Sequence, residues 1–264
     1  MGKILVIDSG VGGLSTLCKI RAILPDEEYI YFADRDFMPY GNKSVELIKH
    51  RMKTICKWFF FHESIKAVVI ACNTATACGI EYLRQQFSSP TIFIGVEPAI
   101  KPAINELKQK NVLVLVTAST AKQNKFLELV NSSKQQLSAN EPIHDNHNDK
   151  TGKKIIVAPM TNLACLIENN IHNMQKIIPQ IQKILVPYKH QNIESVVLGC
   201  THYCFIKNII ADFFNAKIYD GNIGVAMRLY NLLNDKGPIQ RKSSGGVAFL
   251  EGNKAHFIQP NPQM

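Results

Sequence analysis

Two segments of the sequence place a cysteine directly after a run of apolar residues. Residues 68–74 read VVIACNT and residues 196–202 read VVLGCTH, so each has a buried-strand pattern, one small residue, Cys72 or Cys200, and two polar side chains. A thiol with a reference pKa of about 8.5 can give up or deliver a proton close to neutral pH. Two such thiols on opposite faces of a carbon acid would remove a proton from one face and return it to the other, which is racemisation or epimerisation.

Other polar side chains at the ends of apolar runs are candidates to tune these thiols or to hold a charged substrate. His202 lies two residues after Cys200, and Asp8 ends the first apolar run, so each is a candidate to adjust the protonation of one cysteine. The neutral candidates at such ends are Ser9, Asn73, Thr74, Thr117 and Thr201. In open α/β sheets, ligands bind beyond the carboxyl ends of the strands, where these side chains are expected.

Short β-branched runs alternate with amphipathic stretches of helical length along most of the chain. Strands are predicted at residues 3–7, 29–33, 67–71, 91–95, 112–116, 155–158, 195–198, 216–219 and 246–250. Helices are predicted at residues 14–24, 45–61, 76–87, 98–108, 122–130, 174–188 and 223–233. Near-continuous apolar strands between helices are typical of a parallel sheet covered on both faces, so the predicted class is α/β.

The sequence also predicts that this fold has two similar halves. Besides the cysteine segments, the strand that ends in ILVIDS near the N-terminus is echoed by VLVLVT farther along the chain. The interval from Asp8 to Cys72 is 64 residues. The interval from Thr117 to Cys200 is 83 residues, which is 19 longer. The polar stretch 131–154 accounts for the difference, and it predicts a long surface loop inserted in the second half.

Composition and charge restrict the class of protein. The 264 residues are 46% hydrophobic, which suits one large domain or two modest ones. No apolar stretch of about 18 residues predicts a membrane span, and no secretory leader is evident, so we expect a cytoplasmic protein. Seven cysteines, an odd number, argue against a disulfide framework. The formal charge is +9, but no Lys/Arg run exceeds two residues, which does not favour nucleic-acid binding.

Five motifs occur in a fixed order along the chain. They are DSGVGGLS (8–15), PYG (39–41), ACNTA (71–75), EPA (97–99) and GCTHY (199–203). In this order they resemble the aspartate/glutamate racemase family, and most closely its glutamate racemases. No single motif is specific, but five in this order are, and they extend over most of the chain.

The resemblance implies a fold, an organisation and an activity. The fold would be two parallel-sheet α/β domains related by a pseudo-twofold axis, with the active site in the cleft between them. The first domain would be discontinuous, formed by residues 1–97 and 208–264, and the second would comprise residues 98–207. The activity would be interconversion of L- and D-glutamate at the α-carbon, supplying D-glutamate for peptidoglycan. The family implies no cofactor, no metal and a homodimer, while the scattered charge and the absence of a long apolar stretch predict no nucleic-acid or membrane partner.

Carried over by position, the resemblance also implies roles for individual residues. Cys72 and Cys200 match the two bases, and Asp8 and His202 match their acid/base partners. The predicted substrate contacts are Asp8, Ser9, Pro39, Tyr40, Gly41, Asn73, Thr74, Thr117, Thr201 and His202. Glu168 is the candidate for a carboxylate that orients the histidine, although its segment is longer than the family pattern.

Several alternatives remain open at this point. A racemase of another amino acid, aspartate first, would act on a substrate one CH₂ shorter, a difference that a pocket discriminates by only about 1–3 kcal/mol. Cys200, His202 and Cys204 could bind a metal, although their spacing is unusual for zinc and a fourth ligand is not evident. The positive charge keeps a nucleic-acid-binding protein among the alternatives, to be tested by salt-dependent binding.

Two cofactor or covalent mechanisms are less favoured by the sequence. The turn at residues 9–14 could bind an anion through its backbone N–H groups, but Ser15 stands where the dinucleotide fingerprint has a third glycine. No lysine follows a strand as the cysteines do, which argues against a pyridoxal-phosphate enzyme. A Cys/His hydrolase would leave the second cysteine motif without a role.

Overall fold

The structure is a computed structural model of the chain, and it describes residues 2–87, 90–108, 110–139, 153–235 and 245–252. The described strands are β1 (Lys3–Asp8), β2 (Tyr29–Ala33), β3 (Ile65–Ile70), β4 (Ile92–Gly95), β5 (Asn111–Thr117), β6 (Ile155–Met160), β7 (Ile193–Gly199), β8 (Lys217–Asp220) and β9 (Val247–Glu251). The described α-helices are α1 (Leu14–Ile23), α2 (Val45–His62), α3 (Asn73–Gln86), α4 (Ile100–Asn105), α5 (Asn124–Ala139), α6 (Leu163–Asn169), α7 (Ile178–Leu185), α8 (Lys207–Phe214) and α9 (Asn222–Asn234). Of these helices, none has the length and apolar character that crossing a membrane requires.

The chain divides into two units, one formed by Met1–Glu97 with Gly221–Met264 and the other by Pro98–Asp220. The boundary predicted at residue 208 is therefore too early. Strand β8 pairs in parallel with β7, from Ser195 opposite Lys217 to Leu198 opposite Asp220, so α8 and β8 belong to the second unit. The family resemblance indicated a return after the second cysteine, whereas the chain first adds one more helix and strand.

The first unit is a five-stranded parallel sheet in the order β4-β3-β1-β2-β9, covered on both faces. Successive residues of β1 alternate between the faces. Ile4 and Val6 lie in the buried cluster with α1 and α9, whereas Leu5 and Ile7 lie in the cluster with α2 and α3. This burial on both faces explains why β1 is apolar along its length.

Helix α2 follows the amphipathic pattern that the sequence predicts. Its first turn is capped by Ser44, whose Oγ accepts a hydrogen bond from the N–H of Leu47 at 3.2 Å. The apolar face is spaced by three and four residues, and its buried members are Ile48, Met52, Ile55, Cys56 and Phe59. The helix is thereby fixed against the sheet, and residues on its edges have defined positions.

The second unit repeats the strand order of the first. Its four parallel strands follow the order β6-β5-β7-β8, which matches β2-β1-β3-β4 strand for strand. The pairing of β1 with β3 and that of β5 with β7 each contain one register shift at the first residue. The predicted pair of similar parallel α/β halves is confirmed, and the cysteine motifs follow the equivalent strands β3 and β7.

Several predicted elements differ from the observed ones. The loop predicted at residues 131–154 is wrong in its first part, because α5 continues to Ala139, and residues 140–152 lie outside the described residues. Residues 131–139 are mostly polar, but they continue the buried stripe of α5. The stripe is spaced by three and four residues and consists of Phe126, Val130, Ser133 and Leu137. The predicted helix 174–188 is interrupted by 3₁₀ turns on both sides of α7, and helices α6 and α8 were not predicted.

Candidate active site

In the first unit, three neighbouring parallel strands end at one edge and place polar residues there. The N–H of Asp34, just after β2, donates to the carbonyl of Asp8 at 2.9 Å. The N–H of Ala71, just after β3, donates to the carbonyl of Ile7 at 2.8 Å and precedes Cys72. The alignment therefore brings the chain segments that carry Asp8, Asp34 and Cys72 to one edge of the sheet.

Asp8 closes the turn between β1 and α1. Its Oδ2 accepts hydrogen bonds from the N–H groups of Gly10 at 3.3 Å and Gly13 at 2.9 Å, and its side chain is completely buried. A Cβ at Gly13 would lie 2.7 Å from the Cβ of Asp8 and 2.9 Å from that of Ala71, so this position requires glycine. These two N–H groups therefore bind the chain's own Asp8 carboxylate.

Cys72 is the residue before the first turn of α3, and 7% of it is exposed. Burial, followed by the charge of Asp8, raises the pKa of its thiol to about 12. The backbone N–H groups of Ala75 and Thr74 and the Ser9 hydroxyl, whose Oγ is 3.8 Å from Sγ, act in the opposite direction. The resting state of Cys72 is therefore a thiol, with groups in place that stabilise a transient thiolate.

The other predicted polar residues of the first unit lie on the same elements. Asn73 and Thr74 open α3 and are 4% and 2% exposed, and Asn73 Nδ2 is 3.5 Å from the carbonyl of Val96. Pro39 and Gly41 are half-buried and flank Tyr40, which is 2% exposed at the start of a short 3₁₀ turn. These side chains and N–H groups offer hydrogen-bond partners for a small polar substrate.

Two residues that sequence reasoning missed hold the tyrosine of the PYG motif. The Tyr40 hydroxyl donates to Asp34 Oδ2 at 2.6 Å, and Arg51 of α2 donates to the same carboxylate through Nε at 2.9 Å and Nη2 at 2.7 Å. Burial, then Asp34, raises the pKa of Tyr40 well above its ordinary value, with a smaller contribution from Cys72. Asp34 directly follows the predicted strand 29–33, just as Asp8 follows the predicted strand 3–7, so the same sequence rule applies to both.

In the second unit, Cys200 begins a chain of three side chains. Its Sγ is 3.9 Å from Nδ1 of His202, and Nε2 of His202 is 2.7 Å from Oε2 of Glu168. Cys200, His202 and Glu168 are 7%, 2% and 5% exposed. With Nε2–H donating to Glu168, Nδ1 faces the sulfur as an acceptor, and in the imidazolium it becomes a donor to a thiolate. The carboxylate thus orients the imidazole with Nδ1 toward the sulfur.

Thr117 occupies the position in the second unit that Asp8 has in the first. It ends β5, and its Oγ1 accepts the N–H of Thr120 at 3.1 Å and lies 2.8 Å from the Thr120 hydroxyl. A neutral side chain therefore closes this loop. Thr201, 3% exposed, follows Cys200 and opens the 3₁₀ turn Thr201–Ile206.

The spacing of Cys200, His202 and Cys204 does not produce a metal centre. Within the described ranges, no three His, Cys, Asp or Glu side chains are grouped so that they could hold a metal ion. Nε2 of His202 instead binds the carboxylate of Glu168 at 2.7 Å. The arrangement is that of an acid/base chain ending in a thiol.

Two repeated parallel α/β units, with a thiol after the same strand of each and a different acid/base partner beside each thiol, define an acid/base enzyme. Comparisons with known proteins identify the kind. No family model matches the chain. Glutamate racemase 2 of Bacillus subtilis is 36% identical over 260 residues, covering 97% of this chain and 90% of the relative. A glutamate racemase of Aliarcobacter butzleri is 36% identical over 89% of this chain and 85% of its own length.

A solved structure agrees with these relatives. Escherichia coli glutamate racemase, in complex with L-glutamate and the activator UDP-MurNAc-Ala, has a TM-score of 0.80 and 28% identity, over 95% of this chain and 88% of that chain. The chain belongs to the glutamate racemase family and is an isomerase.

Proposed function

We propose that this protein interconverts L- and D-glutamate by cofactor-independent proton transfer at the α-carbon, with Cys72 and Cys200 as the two acid/base groups. The observation that carries the proposal is the occurrence of these buried thiols after the equivalent strands β3 and β7. The family membership supplies the substrate. Inversion requires that the two thiols address opposite faces of the same α-carbon, one as thiolate and the other as thiol.

The environment of Cys72 suits it first to the role of proton donor. Its pKa of about 12 means that it carries its proton when the substrate binds, and it delivers that proton to the planar carbanion. In the reverse direction Cys72 acts as the base, and the N–H groups of Thr74 and Ala75 stabilise the thiolate that this requires. The Asp8 carboxylate opposes that thiolate, so the anion is short-lived and strongly basic.

Cys200 has a partner that can store the proton. His202 is close to the sulfur, and Glu168 stabilises the imidazolium that forms when His202 takes the thiol proton. The resulting thiolate–imidazolium pair is the base of this proposal. The two thiols thus have complementary roles in this direction of the reaction, with Cys200 abstracting a proton and Cys72 donating one.

The remaining polar residues would hold the substrate. In this proposal the hydroxyl and amide groups of Ser9, Asn73, Thr74, Thr117 and Thr201 bind carboxylate oxygens, and Asp8 lies beside the ammonium group. The turn formed by Pro39, Tyr40 and Gly41 completes the set of contacts. Fixing both charged groups of the amino acid places the α-carbon for transfer.

The wider setting is also proposed from the family. We propose a cytoplasmic homodimer whose small-molecule substrate is glutamate and whose product, D-glutamate, is used in peptidoglycan. Neither a nucleic acid nor a membrane is needed for the reaction.

The test is incubation of the purified protein with L-glutamate in D₂O, with the α-proton signal followed by NMR and the optical rotation recorded in parallel. Loss of both signals supports the proposal, and Cys72→Ser or Cys200→Ser should then lower the rate by about 10²-fold or more. Cys204→Ser is the matched control, because Cys204 is a half-buried thiol outside the proposed site. No change with L-glutamate, but α-proton exchange with L-aspartate, would show that the substrate is aspartate. No change with either amino acid would overturn the proposal.

A further inference from the structure

A buried chain of three side chains leads from the edge of α2 to the tyrosine of the PYG motif. Asp34 is completely buried, and its carboxylate receives the Tyr40 hydroxyl at 2.6 Å and the Arg51 Nη2 at 2.7 Å. The Arg51 guanidinium lies over the Phe37 ring, 4.2 Å from its centroid, and 17% of the side chain is exposed. All three members therefore have fixed geometry.

We infer that Asp34 and Arg51 are positioning residues of the reaction, which act by fixing the direction of the Tyr40 hydroxyl. The inference rests on the proposed function, in which Tyr40 contacts the substrate. Neither residue belongs to the motifs that mark the family resemblance, and neither needs to touch the amino acid. Their role is to determine what hydrogen-bonding character Tyr40 presents.

The direction of the Tyr40 hydroxyl follows from the chemistry of its partners. The Arg51 guanidinium can only donate hydrogen bonds, and the carboxylate that it binds can only accept them. The Tyr40 hydrogen must therefore point to Asp34, and the phenol oxygen keeps only its lone pairs for a third group. Without Arg51, the buried Asp34 carboxylate would lose the two donors that hold it in place.

The fixed oxygen lies in a region where an acceptor is useful. Tyr40 belongs to the same buried cluster as Cys72, and a thiolate at Cys72 would act on its hydroxyl. The donors expected there are the Cys72 thiol and the ammonium group of an amino acid. The Tyr40 oxygen can accept a hydrogen bond from either donor, and it has no hydrogen left to donate to other groups of the site. Binding either donor helps to align the α-carbon with the thiol.

The backbone connects this chain to the other catalytic groups. The N–H of Asp34 donates to the carbonyl of Asp8, the residue whose charge raises the pKa of Cys72. The position of Asp34 is consequently coupled to the strand end that carries Asp8. Arg51 has no described hydrogen bond to Tyr40 itself, so its hydrogen bonds affect the Tyr40 hydroxyl through Asp34.

The test is a double-mutant cycle measured as steady-state racemisation of glutamate. Tyr40→Phe, Asp34→Asn and Arg51→Met should each lower kcat/KM by about tenfold or more, as expected for a lost hydrogen bond to a charged group. In the Tyr40→Phe background, Arg51→Met should cost less than about threefold, because the contact it supports is already absent. All three single variants should divide their loss between kcat and KM in the same proportion.

Controls separate positioning from simple destabilisation. Arg35→Met removes an arginine next to Asp34 in sequence, whose pairing with Glu251 is exposed, and it should change kcat/KM by less than about twofold. Arg51→Lys keeps the positive charge but loses the planar group that donates two hydrogen bonds to one carboxylate, and it should recover part of the activity that Arg51→Met loses. The melting temperature and the emission of Trp58, the one tryptophan in the sequence, report whether each variant folds.

The outcomes also separate this inference from the proposed function. If the unmodified protein racemises glutamate but the losses from Arg51→Met and Tyr40→Phe simply add, the positioning role is wrong and the proposed function stands. If the melting temperature falls while kcat/KM per folded molecule is unchanged, Arg51 is structural only, and the inference is again wrong. If the unmodified protein does not racemise glutamate, the proposed function itself fails.

Discussion

Asp8 and Thr117 end the equivalent strands β1 and β5, and each closes the following loop through its own side chain. Asp8 accepts the N–H groups of Gly10 and Gly13, whereas Thr117 accepts the N–H of Thr120. The local task is the same, but only the first side chain is charged. In the first unit, the thiol that follows the neighbouring strand therefore experiences the negative charge of Asp8. In the second unit, the equivalent position carries no charge. A repeated fold thus surrounds its two cysteines with different charges.

We expect Asp8→Asn to lower the pKa of Cys72 below its value of about 12, because it removes a negative charge while keeping an oxygen for the glycine N–H groups. The measurement is the pH dependence of alkylation by iodoacetamide, resolved for each cysteine by mass spectrometry of peptides. The midpoint for Cys72 should move to lower pH. Cys56, whose pKa is raised by burial alone, is the internal control in the same digest, and its midpoint should not move.

A shift at both cysteines would indicate a general loosening of the variant, and no shift at Cys72 would show that Asp8 does not set its acidity. Racemisation should also fall in Asp8→Asn, by about tenfold or more, since a charged hydrogen-bonding group of the site is lost.

The stability of the first unit should decrease above about pH 9. Burial raises the pKa of Cys72 and of Cys56 from 9.0 to about 12 in the folded chain. Between these values the unfolded chain loses the thiol protons while the folded chain keeps them, so rising pH favours unfolding. Each thiol should contribute about 1.4 kcal/mol per pH unit in that window and nothing below it. Urea unfolding at a series of pH values measures this slope.

Cys72→Ser provides the comparison for that slope. Because a serine hydroxyl does not titrate in this range, the variant should lose stability less steeply, by about 1.4 kcal/mol per pH unit. An unchanged slope would mean that Cys72 is not protonated in the folded chain at high pH.

The sequence was sufficient for the strand ends, because the signal there is local. A parallel α/β strand is apolar along its length, and the polar residue that ends it lies at the ligand-binding edge. Asp8, Cys72, Thr117 and Cys200 all followed from that rule, and the repeat of two motifs predicted the repeat of two sheets. Asp34 obeys the same rule after β2, but it lies in neither repeated motif and in none of the five family motifs.

The contacts that depend on tertiary structure were not accessible in the same way. Arg51 lies in the middle of an amphipathic helix, where its spacing predicts only an edge position. Its pairing with Asp34 depends on how α2 packs on the sheet. The helical course of residues 131–139 was hidden for another reason, since Ser133 is buried among apolar side chains and the polar composition suggested a loop.

Glu168→Gln should lower the racemisation rate by about tenfold or more, because the amide no longer stabilises a charged His202. The Gln amide can donate to Nε2, which would place the ring hydrogen on Nδ1, toward Cys200, and leave the thiol without an acceptor. The pH profile of kcat/KM measures the change. Glu128→Gln, at an exposed glutamate on α5 of the same unit, is the matched control and should retain its activity. Equal rates for the two variants would exclude Glu168 from the acid/base chain.

Gly13 and Gly224 should respond in opposite directions to alanine. A Cβ at Gly13 would lie 2.7 Å from the Cβ of Asp8 and 2.9 Å from that of Ala71, whereas a Cβ at Gly224 would meet nothing within 4 Å. Gly13→Ala should therefore destabilise the protein by about 1–3 kcal/mol through overpacking, and it should also reduce activity by displacing Asp8. Gly224→Ala lies on an exposed position of α9 and should stabilise the helix by about 0.5–1 kcal/mol. Urea unfolding and racemisation assays on both variants test the pair, and a stable, fully active Gly13→Ala would show that the turn after β1 does not depend on this close approach.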